Sequence, residues 1–275
     1  MQANYFLYKQ QLYKLLLIDT LVTLDKDDWY NLFLSAIKEK VEGLLYKRLC
    51  EKLLLDAVPK SVKRQLYLSY TYNLKKNHLY LTEFEQLQKM LKNMNICIFP
   101  EKGIYLLNTV YKDIGVRYME DIDILVLSSD REQVNNSIES MGYSLTLIND
   151  KTIKLYQKET PISSCLFQKS RELPDHIPFI KIDVSYISAI SHSENDWHLS
   201  QTDTLLRLCK SLYNNVTENN LELLPINCVL GKLLDVIFFI RQYPDIKSNI
   251  LQTKKYNALP EVAFTIECIK YYKNV

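Results

Sequence analysis

What this sequence lacks narrows what it can be. No C-x-x-C pair occurs: the six cysteines, Cys50, Cys97, Cys165, Cys209, Cys228 and Cys268, stand singly in or beside apolar stretches. Cysteines so placed act as small buried hydrophobes, which speaks against a disulfide framework or a structural zinc site. The four histidines are equally scattered, none at metal-ligand spacing. No apolar run reaches the roughly 18 residues needed to span a bilayer, so no membrane partner is expected. The run "LLLI" (Leu15 to Ile18) is followed at once by Asp19, with no small-residue cleavage site. That excludes a signal peptide and makes the cytoplasm the expected location. An excess of one charge is also missing. Thirty-four basic against thirty-two acidic residues leave +2, so there is no strong nucleic-acid charge signature. A local basic groove stays compatible with that balance. Internal repeats and low-complexity linkers are absent as well.

What is present is an ordinary globular chain. Its 275 residues are 47% hydrophobic and 24% charged, enough to bury a sizeable core. Twenty tyrosines with abundant Lys, Asn and Ile reflect coding bias and are assigned no function.

Residues 1–95 read as mostly helix. Between Asp27 and Asp56, Trp29, Phe33, Ala36, Ile37, Val41, Leu44, Leu45, Leu49 and Leu53 recur every three or four positions. Asp25 or Asp27 can cap the start, and "AVPKS" at 57–61 ends the run. A second long helix follows, with Leu66, Tyr70, Leu74, Leu81, Phe84 and Leu91 on one face and Lys63, Arg64, Lys75 and Lys76 expected on a solvated one. At "NICIFPEKG" the period changes. Ile96 to Phe99 form a short strand, Pro100 ends its ladder, Gly103 opens the helix "IYLLNTVYKD", and Gly115 ends that excursion. "VRYMEDIDILV" (116–126) is the next strand, and a helix covers 130–140. "GYSLTLI" is a strand, "KTIKLYQKE" alternates like its hairpin partner, "SSCLFQ" is a further candidate, and "FIKIDVSYI" is the last clear one. From Gln201 onward the pattern is helical again, with Pro225 at a first-turn position. The expected fold is α+β, a mixed sheet flanked in sequence by helices. Three regions are expected: helical 1–95, a core at 96–190, and helical 191–275.

Chemistry concentrates in the acidic strand. Side chains alternate along a strand, so Asp121 and Asp123 share one face while Ile122, Ile124 and Val126 point into the core. Two carboxylates so placed repel and raise each other's pKa unless a cation sits between them. Magnesium suits such a pair, because it takes hard oxygen ligands together with waters and substrate phosphates. Three neighbours bear on this reading. Asp183, between Ile182 and Val184, is either a third carboxylate of a two-metal site or a sheet-edge aspartate bonded to a turn. Glu101–Lys102–Gly103 lies where a strand passes into a helix, and is either a phosphate-binding turn or an ordinary tight one. Arg117 can reach a phosphate or pair with Glu120.

Strand–K-G–helix, then R-x-x-x-D-x-D on the next strand, then a later strand aspartate, resembles the polymerase-beta-like nucleotidyltransferase superfamily. Within it, "FPEKGIYLLNTVYKDIGVRYMEDIDILVLSSDREQVNNSIESMGYSL" and "KIDVSY" resemble the bacterial uncharacterised nucleotidyltransferase family, over nearly the whole chain and most specifically over 102–143. The resemblance implies a nucleotidyltransferase-type sheet core, with Asp121 and Asp123 as the metal-binding pair and Asp183 as the third catalytic carboxylate. It implies two Mg2+ or Mn2+ ions, ATP or another NTP as substrate, Gly103 at the phosphate-binding turn, and Lys102 and Arg117 as triphosphate contacts. The reaction would move a nucleoside monophosphate to an acceptor hydroxyl on a peptide or protein, a small molecule or RNA, and release pyrophosphate. Two departures stand out: K-G replaces the superfamily's usual G-S, and Ser185 stands where a histidine is frequent.

Other readings compete. A metal-dependent glycosyltransferase can use D-x-D, but explains neither the K-G turn nor Asp183. A toxin of a toxin–antitoxin pair carries a cousin of the same motif. A pseudoenzyme that binds nucleotide or a partner protein would not need the third carboxylate.

Overall fold

The computed structural model describes residues 2–17, 24–155, 158–170, 177, 179–187, 199–246 and 259–274. The expected 96–190 and 191–275 regions therefore meet outside the described residues, since nothing is described from 188 to 198. Contacts divide the chain into two compact units. One holds residues 1–75, 110–118 and 201–275; the other holds 76–109 and 119–200.

The first unit is helical: α1 (Gln2–Leu17), α2 (Lys26–Lys38), α3 (Glu42–Glu51), the first part of α4 (Lys60–Asn93), α7 (Gln201–Thr217), α8 (Leu230–Gln242) and α9 (Pro260–Asn274). Leu12, Leu32, Leu45, Leu66, Leu212 and Leu233 are fully buried in one core. Asp25 caps α2 as expected, with a reciprocal bond between its side chain and Asp28. The periodic stretch after it is two helices rather than one. The chain breaks at Glu39–Val41, where Lys40 takes a left-handed φ of 59°. The break frees Glu39 to turn inward. Its Oε1 pairs with Lys9 at 3.0 Å and its Oε2 accepts the Leu230 N–H at 2.6 Å, while its carbonyl accepts the Gly231 N–H. The tertiary partners outweigh one more helical turn.

The same unit takes in the short segment 110–118. Gly43 and Gly115 let it lie directly against α3, since a Cβ on Gly43 would stand 2.4 Å from the Gly115 carbonyl oxygen. Tyr70 donates to Asp113, and Lys47 pairs with Asp113 at 3.0 Å. This departure is why α5 (Lys102–Thr109) ends before the expected "VYKD".

The second unit is built on a five-stranded mixed sheet: β1 (Ile98–Pro100), β2 (Ile122–Leu127), β3 (Ser144–Leu155), β4 (Lys158–Ser170) and β5 (Phe179–Ile187), in the order β1-β2-β5-β4-β3. β2 and β5 run parallel; the other neighbouring pairs are antiparallel. Pro100 is tolerated because β1 is an edge strand. The stretch "KTIKLYQKE" is shared by two strands. Residues up to Leu155 continue β3 and those from Lys158 begin β4, with Tyr156 and Gln157 outside the described residues. Along β5, Ile180, Ile182, Val184 and Tyr186 are buried while Lys181, Asp183 and Ser185 are half-buried, the alternation a strand with one deep face requires. The helix α6 (Arg131–Ser140) meets that sheet, with Asn135 accepting the Tyr186 hydroxyl and Arg131 over the Tyr186 ring.

The end of α4 belongs to this unit. Tyr80, Phe84, Leu87 and Leu91 are buried as a three-and-four stripe, but the stripe also contains buried Lys76 and Asn77. Lys76 therefore departs from its expected solvated place, its ammonium lying 5.3 Å from the Tyr80 ring centre. An α+β chain with a mixed sheet between helical segments is what the sequence leads one to expect. Among the described residues no helix is long and apolar enough to cross a membrane.

Candidate active site

The parallel register of β2 and β5 sets Asp123 directly beside Asp183. Asp121 sits one residue ahead of β2, two positions from Asp123 and on the same face of the chain. Carboxylate oxygens of Asp121, Asp123 and Asp183 all lie within 4.8 Å of one another. Asp123 is buried, and the other two are half-buried. One and two pairs further along that face the sheet turns apolar, with Leu125 and Ile187 packing on Phe99 and Leu199. The acidic cluster thus shares its sheet face with this apolar patch and with the half-buried Lys181 and Ser185.

Backbone bonding brings a cation to it. The Glu101 N–H donates to the Asp123 carbonyl at 3.0 Å, carrying the β1–β2 ladder one residue past Pro100. Lys102 then opens α5 and donates from Nζ to Asp123 Oδ1. Its backbone φ is +39°, a left-handed value that a residue with a Cβ adopts at some cost. Gly103 is the second residue of α5, is buried, and has no such φ. The conformational oddity of the K-G turn therefore belongs to the lysine.

Within this group of four residues, three carboxylates face one ammonium. Burial pushes the Asp121 carboxyl up to about 7, Asp123 and then Asp183 push the same way, and Lys102 opposes them. Burial alone would lower the Lys102 ammonium, but Asp123, Asp121 and Asp183 together hold it above its ordinary value. Clustered hard oxygens with surplus negative charge match the ligand preference of Mg2+ or Mn2+. The three aspartates could hold a metal ion on donor chemistry and spacing alike.

Arg117 belongs to the helical unit, where Nε and Nη2 grip Asp235 at 3.0 and 2.8 Å in a two-pronged pair. Tyr111 donates to the same carboxylate at 2.7 Å. Neither the phosphate role nor the Glu120 pairing foresaw this partner. Asp235 was the missed residue, 118 positions away. Its trace in the sequence is an acid inside the apolar run "LLDVIFFI", a position that a lone carboxylate does not occupy cheaply.

A family model described as "Uncharacterised nucleotidyltransferase" matches residues 25–272, most of the chain. No curated protein and no solved structure matches it.

Proposed function

We propose, given that the chain belongs to the uncharacterised nucleotidyltransferase family, that this site moves a nucleoside monophosphate from an NTP to an acceptor hydroxyl. What carries the reading is the pairing of Asp123 with Asp183 across two parallel strands, with Asp121 completing a cluster inside 4.8 Å. In the reaction the acceptor oxygen bonds to the α-phosphorus, the bond from that phosphorus to the bridging oxygen breaks, and pyrophosphate leaves.

Asp121 and Asp123 would hold a divalent cation together with the triphosphate, and Asp183 would share a second ion. Bound Mg2+ or Mn2+ would offset phosphate charge and raise the acidity of the acceptor hydroxyl. The chain's own groups do the rest. The strand register fixes the carboxylates before substrate arrives, so little reorganisation is left for the reaction. A carboxylate oxygen of Asp183, the member carried by β5, would take the acceptor's proton. Lys102 and Gly103, opening α5 beside Asp123, would lie along the phosphates.

The test is to incubate the protein with each labelled NTP and Mn2+ or Mg2+ together with cell extract, and to identify nucleotidylated products by mass spectrometry. Wild-type protein should add a nucleoside monophosphate to an acceptor or to itself, and Asp123→Asn should not. Equal labelling by the two would refute the assignment.

A further inference from the structure

Lys102 occupies an unusual position for a phosphate ligand: its ammonium is already spent on the acidic cluster. Nζ donates to Asp123 Oδ1, and the same charge acts on Asp121 and Asp183. The side chain is about one-third exposed, so it has somewhere to go. Its backbone is held at a φ of +39°, which fixes the start of the side chain over the Asp123 end of β2.

Resting on the reading above, we infer that Lys102 is the resident counter-ion of the metal-free site, and that a divalent cation binds by displacing its ammonium from Asp123. The ammonium stands on one oxygen of Asp123, and a divalent cation drawn to the same carboxylate cluster would meet its positive charge at short range. Three clustered carboxylates without any cation would repel one another and loosen the end of β2. The lysine keeps them assembled at the expense of weakening metal binding. Once displaced, the ammonium needs a new anion, and a nucleoside triphosphate supplies one. The consequence is coupling: metal alone binds weakly, and metal with triphosphate binds together. A lysine that simply held the fold, or simply touched phosphate, would not oppose the metal.

Lys102→Gln separates these roles, since glutamine bears the same backbone burden at φ +39° and differs in charge. Mn2+ is titrated into wild-type and Lys102→Gln protein without nucleotide, by calorimetry and by electron paramagnetic resonance of free Mn2+. The variant should bind Mn2+ about tenfold more tightly, the scale of relieving one nearby positive charge in a partly solvated site. Its melting temperature in EDTA should fall, and Mn2+ should raise it by more than in wild type. Equal or weaker Mn2+ binding by a folded variant overturns the inference while leaving the metal site intact. Absence of Mn2+ binding to both proteins overturns the metal reading itself, and the inference with it. A second measurement needs no variant. Wild-type protein is acetylated with an N-hydroxysuccinimide ester, with EDTA or with Mn2+, and Lys102 modification is read by peptide mass spectrometry. Lys102 should react several-fold faster with Mn2+, because displacement frees the amine from Asp123. An unchanged or slower rate contradicts displacement.

Discussion

Lys9 with Glu39 in the helical unit, and Lys102 with its three aspartates in the sheet unit, are both charges taken largely out of water, yet they are built on opposite plans. Around Lys9 everything is matched. Its ammonium meets Glu39 Oε1 and the carbonyls of Ile226 and Cys228, and Glu39 in turn accepts from Tyr5 and from the Leu230 N–H. One positive charge meets one negative charge, both 2–3% exposed, with no place for a ligand. Around Lys102 the count is three carboxylates to one ammonium, partly open to solvent. A matched buried pair fixes how helices meet. Carboxylates crowded within 4.8 Å of one another store repulsion that a ligand can relieve, which is what a binding site requires.

The largest effect should come from breaking the matched cluster. Lys9→Met leaves Glu39 buried without its cation and should destabilise the protein by about 3–5 kcal/mol. Thermal melts should show that loss equally with Mg2+ or EDTA; a loss that metal repairs would mean the two clusters are not distinct in kind.

In the aspartate cluster the corresponding change should strike chemistry rather than folding. Asp183→Asn should lower nucleotidyl transfer roughly a hundredfold or more, the scale of losing a general base, while nucleotide affinity stays within a few-fold. Unchanged transfer would remove Asp183 from the reaction, and an unfolded variant would place it among structural groups like Glu39.

Smaller again is the effect of packing in the helical unit. Gly43→Ala sets a methyl group 2.4 Å from the Gly115 carbonyl oxygen, so segment 110–118 must shift. A loss of about 1–3 kcal/mol in chemical denaturation is expected, the usual penalty of overpacking. Neutral behaviour would show that the contact has slack.

The smallest effect should have the opposite sign. Asp121→Asn removes one of the repelling carboxylates and should stabilise the metal-free protein by about 0.5–2 kcal/mol at pH 8. In wild type, burial and then Asp123 raise the Asp121 carboxyl to about 7. The unfolded chain ionises near 3.9. Between these values the folded state holds a proton that the unfolded state has lost, so metal-free stability falls as pH rises through the window. The gain from Asp121→Asn should therefore vanish near pH 4 and be complete above about pH 7. A destabilised variant in EDTA would show that Asp121 is matched after all.

The contrast between the clusters also marks what the sequence could reveal. Asp121, Asp123 and Asp183 were legible because a strand's two-residue period assigns faces, and charged residues inside "DIDILV" and "KIDVSY" conflict with the apolar face beside them. The start of α2 was legible in Asp25, since capping is local. The Glu39–Val41 break was not, because its cause lies in Lys9 and Leu230, far along the chain. Likewise the fate of Arg117 depends on Asp235, and the burial of Lys76 on the stripe it shares with Tyr80. Periodicity reports an element's own faces, whereas these outcomes depend on which distant elements pack there. The strand order β1-β2-β5-β4-β3, which makes Asp123 and Asp183 neighbours, is of the same kind.

We propose that the clustered aspartates hold a metal ion and a triphosphate together. Isothermal calorimetry with a non-hydrolysable NTP analogue tests it most directly, run with Mg2+ or Mn2+ and again in EDTA, on wild type and on Asp123→Asn. Wild type should bind the analogue much more tightly with metal than in EDTA, and Asp123→Asn should lose that difference while keeping its fold. Identical affinity with and without metal in the wild-type protein would contradict the account.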